Sequence, residues 1–470
     1  MSKGFSLPEG CLHDLHLIIK NFEALADSPH GEGVRRLRTH VLEAAEAAIR
    51  SVMPESLFRS KVRVTGSILH VLNDAFDLDG FSEIYVIGGG KASVEMVAQL
   101  NNMLGERISG GEVAAKVDGE LKVGAVRINP ASHPVPNERS LEATQRIIEL
   151  TSKATPQSLY IVVISGGASA MIVSPREGVS LEDKAETTKL LLECGADIEE
   201  INTVRKHLSR VKGGQLQKLI YPATTIALII SDVVGDKPEV IASGLTVPDP
   251  TSFRDAYRVL EKYGLLNRVP QAVLKLFERG VKGLEEETPK PESTVFRTAH
   301  NYIIGSNTDA CMGAWSSLKE RGYNPLLLTT RMQGEAREVG RFLAGVGSSL
   351  SNPPFDAYVI GGETTVTVKG SGLGGRNQEL CLSALIALRG CGGVVLASVG
   401  TDGVDGFSEA AGGIIDGYTY SDALEKGVSP EEYLDNNDSG TFFKRVGGAI
   451  LTGPTGTNVS DLVLLVTHKD

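Results

Sequence analysis

The sequence predicts an α/β protein of two domains, built on a mostly parallel sheet with helices on both faces. Three observations predict it. Short apolar runs end repeatedly in Gly- or Ser-rich turns and are followed by segments with helical spacing. The 470 residues exceed what one hydrophobic core usually serves. An acidic stretch with two prolines interrupts the alternation around residue 290.

The first runs are Ile84–Ile87 before Gly88–Lys91 and Tyr160–Ile164 before Ser165–Ser169. Thr225–Ile230 precedes Ser231–Asp236, and Tyr302–Ile304 precedes Gly305–Asp309. After Ser306 and Asn307, the residues Ala310, Ala314 and Leu318 fall at helical spacing until Gly322 stops the pattern. Short buried strands alternating with helices imply a parallel sheet covered on both faces. The stretch Val281–Thr294 lacks apolar periodicity and holds Pro289 and Pro291, so the expected domains are 1–290 and 291–470. Beyond it the alternation resumes through Pro325–Thr330 and Tyr358–Gly361, and Glu363–Lys369 alternates in period two as a half-buried strand should.

Composition bounds the function. A net charge of −11, with 41% hydrophobic and 22% charged residues, describes an ordinary globular protein and argues against a general nucleic-acid binder. The five cysteines, Cys11, Cys194, Cys311, Cys381 and Cys391, have no CxxC spacing, which favours a reducing cytoplasm. No apolar run approaches the ~20 residues of a membrane span. The N-terminus has neither signal-peptide nor transit character, so the expected location is cytoplasmic.

In open α/β sheets ligands bind where strands end, so the strand-to-helix turns are the candidate site. Gly88, Gly89 and Gly90 free backbone amides ahead of a helix N-terminus, and Lys91 adds a full positive charge. The turn is not a P-loop, because Ala92 replaces the magnesium-binding hydroxyl, and Ser93 stands where a dinucleotide fingerprint has its third glycine. Ser165, Gly166, Gly167 and Ser169 form a second small-residue turn suited to a phosphate or carboxylate. Asn202, Arg205 and Lys206 share one face of a predicted helix and could grip anionic oxygens; a solvated basic face is the alternative. Asp232 directly follows an apolar run, where a carboxylate could bind magnesium or take a hydroxyl proton.

Two further turns lie in the second half. Glu363 and Thr364 follow Gly361-Gly362, and Gly372, Gly374 and Gly375 form a flexible loop that delivers Arg376, with Asn377 beyond it. A guanidinium there could stabilise the equatorial oxygens of a transferring phosphoryl group. Asp402 and Asp405 lie in Gly400–Gly406, whose spacing fails the calcium-loop pattern.

These segments, in this order, resemble the class II glycerate kinase family, whose C-terminal part is called the MOFRL domain. The most specific matches are Asn202–Gly214, Ser231–Asp236, Thr246–Thr251 and Gly374–Glu379, with Gly361–Gly370 and Thr401–Gly406 in support. Two positions depart from the family pattern: Ala168 stands for its third glycine, and Leu245 for a proline. The resemblance implies a Rossmann-like N-terminal domain, a smaller α/β C-terminal domain and a cleft between them. It also implies transfer of the ATP γ-phosphoryl group to glycerate at the 2-hydroxyl, with Mg²⁺. Lys91, Asp232 and Arg376 are then the catalytic positions, and Asp232 and Asp402 the metal candidates. Gly89, Gly90, Ser93, Ser165, Gly166, Gly167, Ser169, Asn202, Arg205, Lys206, Glu363, Thr364, Asn377 and Asp402 would contact substrate or nucleotide. The expected partners are glycerate and ATP, with a homodimer allowed and neither nucleic acid nor membrane involved. The rival readings are an NAD(P)H-dependent hydroxypyruvate reductase and a non-catalytic small-molecule sensor.

Overall fold

A computed structural model describes residues 17–348 and 354–467. Cys11 and the reading of the extreme N-terminus fall outside the described residues. The first described strands form an antiparallel meander of β1 (Val62–Thr65), β2 (Ile68–Val71) and β3 (Asp74–Asp77).

The first large sheet holds β4 (Glu83–Gly89), β5 (Ile108–Ala115), β6 (Leu121–Val123), β7 (Val126–Pro130), β8 (Ser158–Ile164), β9 (Thr224–Ile230) and β10 (Ala299–Gly305). Its order is β10-β9-β8-β4-β5-β7-β6, and only the β6–β7 pair is antiparallel. All seven residues of β8 are buried, as a central strand covered on both faces requires.

The second sheet holds β11 (Pro325–Met332), β12 (Ala357–Gly362), β13 (Val394–Gly400), β14 (Gly412–Asp416), β15 (Ala449–Ile450) and β16 (Asp461–Thr467). Its order is β11-β12-β16-β13-β14-β15. Only the β11–β12 pair is parallel, although helices alternate with strands as expected from β11 through β13. The 401–411 connection contains no helix, and without a crossover helix β14 returns antiparallel to β13.

Three local expectations change. The segment Glu363–Lys369 is not a strand, because its amides leave the ladder: Thr367 N–H donates to the Glu335 carboxylate and Lys369 N–H to Asn437 Oδ1. The glycine loop before Arg376 is not loose, since Gly372 N–H bonds Asn436 O and Leu373 N–H bonds Asp438 Oδ1. The third concerns the domain boundary. β10 lies on the edge of the first sheet, so the sheets part company after Gly305 and not at 290/291.

The proline-containing stretch is a strap packed on the first body. Glu287 accepts the Phe253 N–H at 2.8 Å and contacts His207 Nε2 at 3.2 Å, while Asp249 N–H donates to Pro289 O. Burial alone would raise the Glu287 pKa, but these donors hold it at about 2, against an ordinary 4.5. A depressed acid stabilises the fold above its unfolded pKa and loses that contribution as pH falls from about 4.5 toward 2. Glu287→Gln should therefore lose about 1–2 kcal/mol at pH 7 and little at pH 2.5, read by denaturant unfolding at both pH values.

The predicted helix after Ser306 is present as Asn307–Glu320, with Asp309 accepting the Ser306 N–H and Gly322 at φ 85° behind it. It packs against helix Glu32–Ser51, which also covers β13 and β16. Arg38 on that early helix pairs with Asp416 at 2.8 Å, and Thr457 donates to Val52 O. The first sheet is thus inserted between a helix and the sheet that this helix covers.

Candidate active site

The turns singled out by sequence gather where the strand ends of the two sheets face each other. From the first sheet, β4 delivers Lys91, β8 delivers Ser165–Ser169 and β9 delivers Asp232. From the second, β12 leads into Glu363 and β13 towards Asp402, and β16 starts there, because it runs antiparallel to both neighbours. Asp461 is accordingly paired in register with Gly362 on one side and Gly400 on the other.

Three contacts tie the halves together. Lys91 Nζ lies 2.9 Å from Asp402 Oδ2, Asn458 Nδ2 donates to Asp232 Oδ2 at 3.3 Å, and Ser460 Oγ donates to Asp232 O at 2.8 Å. Lys91 N–H donates to Gly166 O, so the first and second turns are one backbone unit. A side chain at Gly90 would lie 2.3 Å from Ser165 Oγ, and one at Gly166 would lie 2.3 Å from Asp232 Oδ2. The absence of Cβ at these two positions is what lets β4, β8 and β9 bring their ends together.

Arg376 is the first residue of helix Arg376–Ala387. Its Nε and Nη2 fork onto Asp461 at 2.6 and 2.9 Å, and Nη1 meets Glu363 Oε1 at 2.9 Å. Asp405 caps the same helix by accepting the Asn377 and Gln378 N–H groups at 3.0 and 2.8 Å. Burial raises Asp405 to about 7 and Asp232 to about 6; for Asp232 the Lys91 charge opposes the shift and Asp402 adds to it. Burial likewise lifts Glu363 to about 7 against the pull of Arg376.

A cavity of about 520 Å³ opens beside Asp232 and Glu363, while Lys91, Arg376 and Asp402 stand outside its lining. Ser165, Gly167, Ser169, Asn202, Arg205 and Asp232 line it from the first body, and Glu363 from the second. Four other expected contacts point elsewhere. Lys206 turns to the buried Asp249 at 3.4 Å. The Ser93 hydroxyl closes its own turn on Gly90 O. Asn377 is buried between Ser398, Asp405 and Asp461, and Thr364 is 2% exposed. On helix Ile198–His207, adjacent residues such as Arg205 and Lys206 diverge by about 100°, so they serve different surroundings.

Sequence reasoning missed His133, Asn458, Ser460 and Asp461. His133 lines the cavity, and burial together with the Lys91 charge lowers its pKa. The signal for the other three was the turn-rich Thr452–Ser460 ahead of the apolar run Leu462–Val466. Only the reversed direction of β16 places that strand's beginning beside other strands' ends.

Of the two departures from the family pattern, Ala168 lines the cavity and Leu245 does not. Ala168 begins a short helix and is 1% exposed, while Gly167 before it carries the left-handed φ of 84°. Leu245 is buried in the same apolar cluster.

Comparison with known proteins fits this arrangement. The family described as "Domain of unknown function (DUF4147)" matches residues 40–278, and the MOFRL family matches residues 356–461. The D-glycerate 2-kinase of Thermotoga maritima is 41% identical over 91% of this chain and 98% of its own length. The chain belongs to the class II glycerate kinase family. Another relative, from Agrobacterium vitis, is called a putative hydroxypyruvate reductase and is 37% identical over 80% of this chain and 85% of its own. The crystal structure of the Thermotoga maritima glycerate kinase superposes with a TM-score of 0.81 at 39% identity, covering 92% of this chain and all of that one. This class II glycerate kinase family member thus carries the family's two-part α/β architecture over most of its length. Among the described residues no helix is long and apolar enough to cross a membrane.

Proposed function

We propose that this chain transfers the γ-phosphoryl group of ATP to the 2-hydroxyl of D-glycerate, in a cleft between the two sheets. The observation that carries the reading is the convergence of the buried Asp232 with two ion pairs from opposite halves, Lys91–Asp402 and Arg376–Glu363, with Asp232 and Glu363 lining one cavity. Phosphoryl transfer needs little covalent help from protein; it needs positioning and charge neutralisation. Lys91 and Arg376 supply the positive charge. Asp232 orients the attacking hydroxyl and takes its proton, for which a raised pKa is suited.

Mg²⁺ fits the chemistry of the oxygen donors present. Among the described residues no three His, Cys, Asp or Glu side chains form a closed metal site. Mg²⁺ needs only one or two carboxylates besides phosphate oxygens and water, and Asp232 and Asp402 would supply them. When bound, the ion neutralises charge on the transferring phosphate.

The reductase reading has less support in the geometry. It requires a dinucleotide turn, yet after β4 the third glycine position is the buried Ser93, whose hydroxyl closes the turn. The deciding experiment follows ADP release with D-glycerate and identifies the product isomer by NMR. A parallel reaction mixes hydroxypyruvate with NAD(P)H. Phosphoglycerate carrying its phosphate on the 2-hydroxyl supports the proposal, whereas rapid NAD(P)H oxidation without ATP consumption overturns it. With Asp232 ionising at about 6, kcat/KM should fall about tenfold per pH unit below that value, checked by a pH profile between 4.5 and 8.

A further inference from the structure

Three cations gather behind one wall of the cavity with no carboxylate to balance them. Arg205 lines the cavity and forms no ion pair among the described residues. Lys212 is completely buried, and its Nζ donates only to carbonyl oxygens, Ser169 O at 3.0 Å and Ala242 O at 3.5 Å. Lys184, on helix Leu181–Glu193, is 5% exposed and its Nζ has no hydrogen-bond partner. The contrast with Lys206 is instructive, because that lysine on the helix of Arg205 has its own buried aspartate.

Burying one unpaired cation is costly, and burying three near each other is more so. Burial lowers the pKa of all three. Arg205 lowers Lys184 further, to about 7, and both Arg205 and Lys184 press Lys212 well below its ordinary value. No acid offsets any of these effects on Lys184 or Lys212. Such an arrangement is stabilised by an anion from solution. The polar groups that meet there suit a small carboxylate: Ser243 Oγ donates to Asn202 Oδ1 at 2.9 Å and lies 3.4 Å from Ser169 Oγ.

We infer that Arg205, reinforced by the buried charges of Lys212 and Lys184, is the carboxylate pocket that makes this site select a hydroxy acid over a neutral polyol. Arg205 makes the direct contact, and the two lysines act through the field they impose on it. Asp232 lines the same cavity, so the carboxylate is held while the neighbouring hydroxyl faces the base. The inference rests on the glycerate reading above and adds what defines the substrate class.

The test uses the full chain and the variants Arg205→Ala, Lys212→Met and Lys184→Met. Loss of a charge-assisted contact should raise the glycerate KM of Arg205→Ala about 10- to 100-fold. The two lysine variants should raise it about 5- to 10-fold, with the KM for ATP within about twofold of the parent. Lys184→Met should also melt at or above the parent temperature, since it removes a buried ammonium that has no hydrogen-bond partner. A merely structural lysine would give the opposite sign. Calorimetric titration with D-glycerate, against glycerol as the neutral control, reads binding independently of turnover. Parent protein that binds glycerate no better than glycerol overturns the pocket, as do three variants that keep the parent's glycerate affinity. Parent protein that binds D-glycerate through Arg205 but does not phosphorylate it overturns the kinase reading and leaves the pocket standing.

Discussion

Lys91→Ala is expected to lower kcat for glycerate phosphorylation by about 10³-fold while leaving the thermal midpoint within about 3 °C of the parent. Lys91 can be removed cheaply because its ammonium is about one-third exposed and its partner Asp402 remains partly hydrated. An ion pair of this kind contributes at most about 1 kcal/mol to folding. The turn that carries Lys91 is held by backbone contacts, Lys91 N–H to Gly166 O and Gly90 N–H to Ala114 O, which the substitution keeps. Stopped assays with saturating ATP and glycerate, with calorimetric melting on the same samples, check both halves of the expectation. A kcat within tenfold of the parent would remove Lys91 from the chemistry.

Arg376→Ala should abolish activity to a similar or greater extent and, unlike the lysine variant, should destabilise the protein by about 3–5 kcal/mol. The geometry separates the two cations, because Lys91 holds one partly exposed partner and Arg376 forks onto a buried one. Asp461 is 1% exposed, and burial already pushes its pKa up; the fork from Arg376 is the chief influence that opposes this. Removing the guanidinium strands a buried carboxylate at the start of the second sheet's central strand, beside Glu363. Arg376→Lys would return part of the stability and little of the activity, because one ammonium cannot reproduce the fork. The double variant Arg376→Ala/Asp461→Asn should regain stability without activity. Urea unfolding at pH 7 distinguishes these outcomes.

The first sheet was largely legible in the sequence, and for a plain reason. Each of its central strands is buried on both faces, so Ile84–Ile87, Tyr160–Ile164 and Thr225–Ile230 read as continuous apolar runs that stop at their turns. The second sheet was less legible. An antiparallel strand can bring its beginning to the place where its neighbours end, and nothing within the stretch leading into Asp461 states which way β16 runs. Lys212 and Lys184 were missed because a buried lysine looks like a solvated one until its surroundings are known. Lys206 was misplaced for the converse reason: helical spacing allows one face to be shared but cannot show that Asp249 lies against it. The strap 281–294 looked like a linker since its prolines and acids resemble one; its packing depends on His207 and Phe253, which are distant in sequence.

The position of β16 has a consequence for how the protein is made. Among the described strands it is the last in the chain, yet it lies between β12 and β13 in the second sheet and begins with the aspartate that holds Arg376. The first sheet has all its strands once residue 305 has left the ribosome, and at ~5–20 residues per second it has many seconds to settle. The second sheet must wait with a gap at its middle, and helix Glu32–Ser51, among the earliest segments synthesised, must wait to cover it. The proposed site therefore stays incomplete until β16 has been made, because Arg376 has no Asp461 to hold it before then.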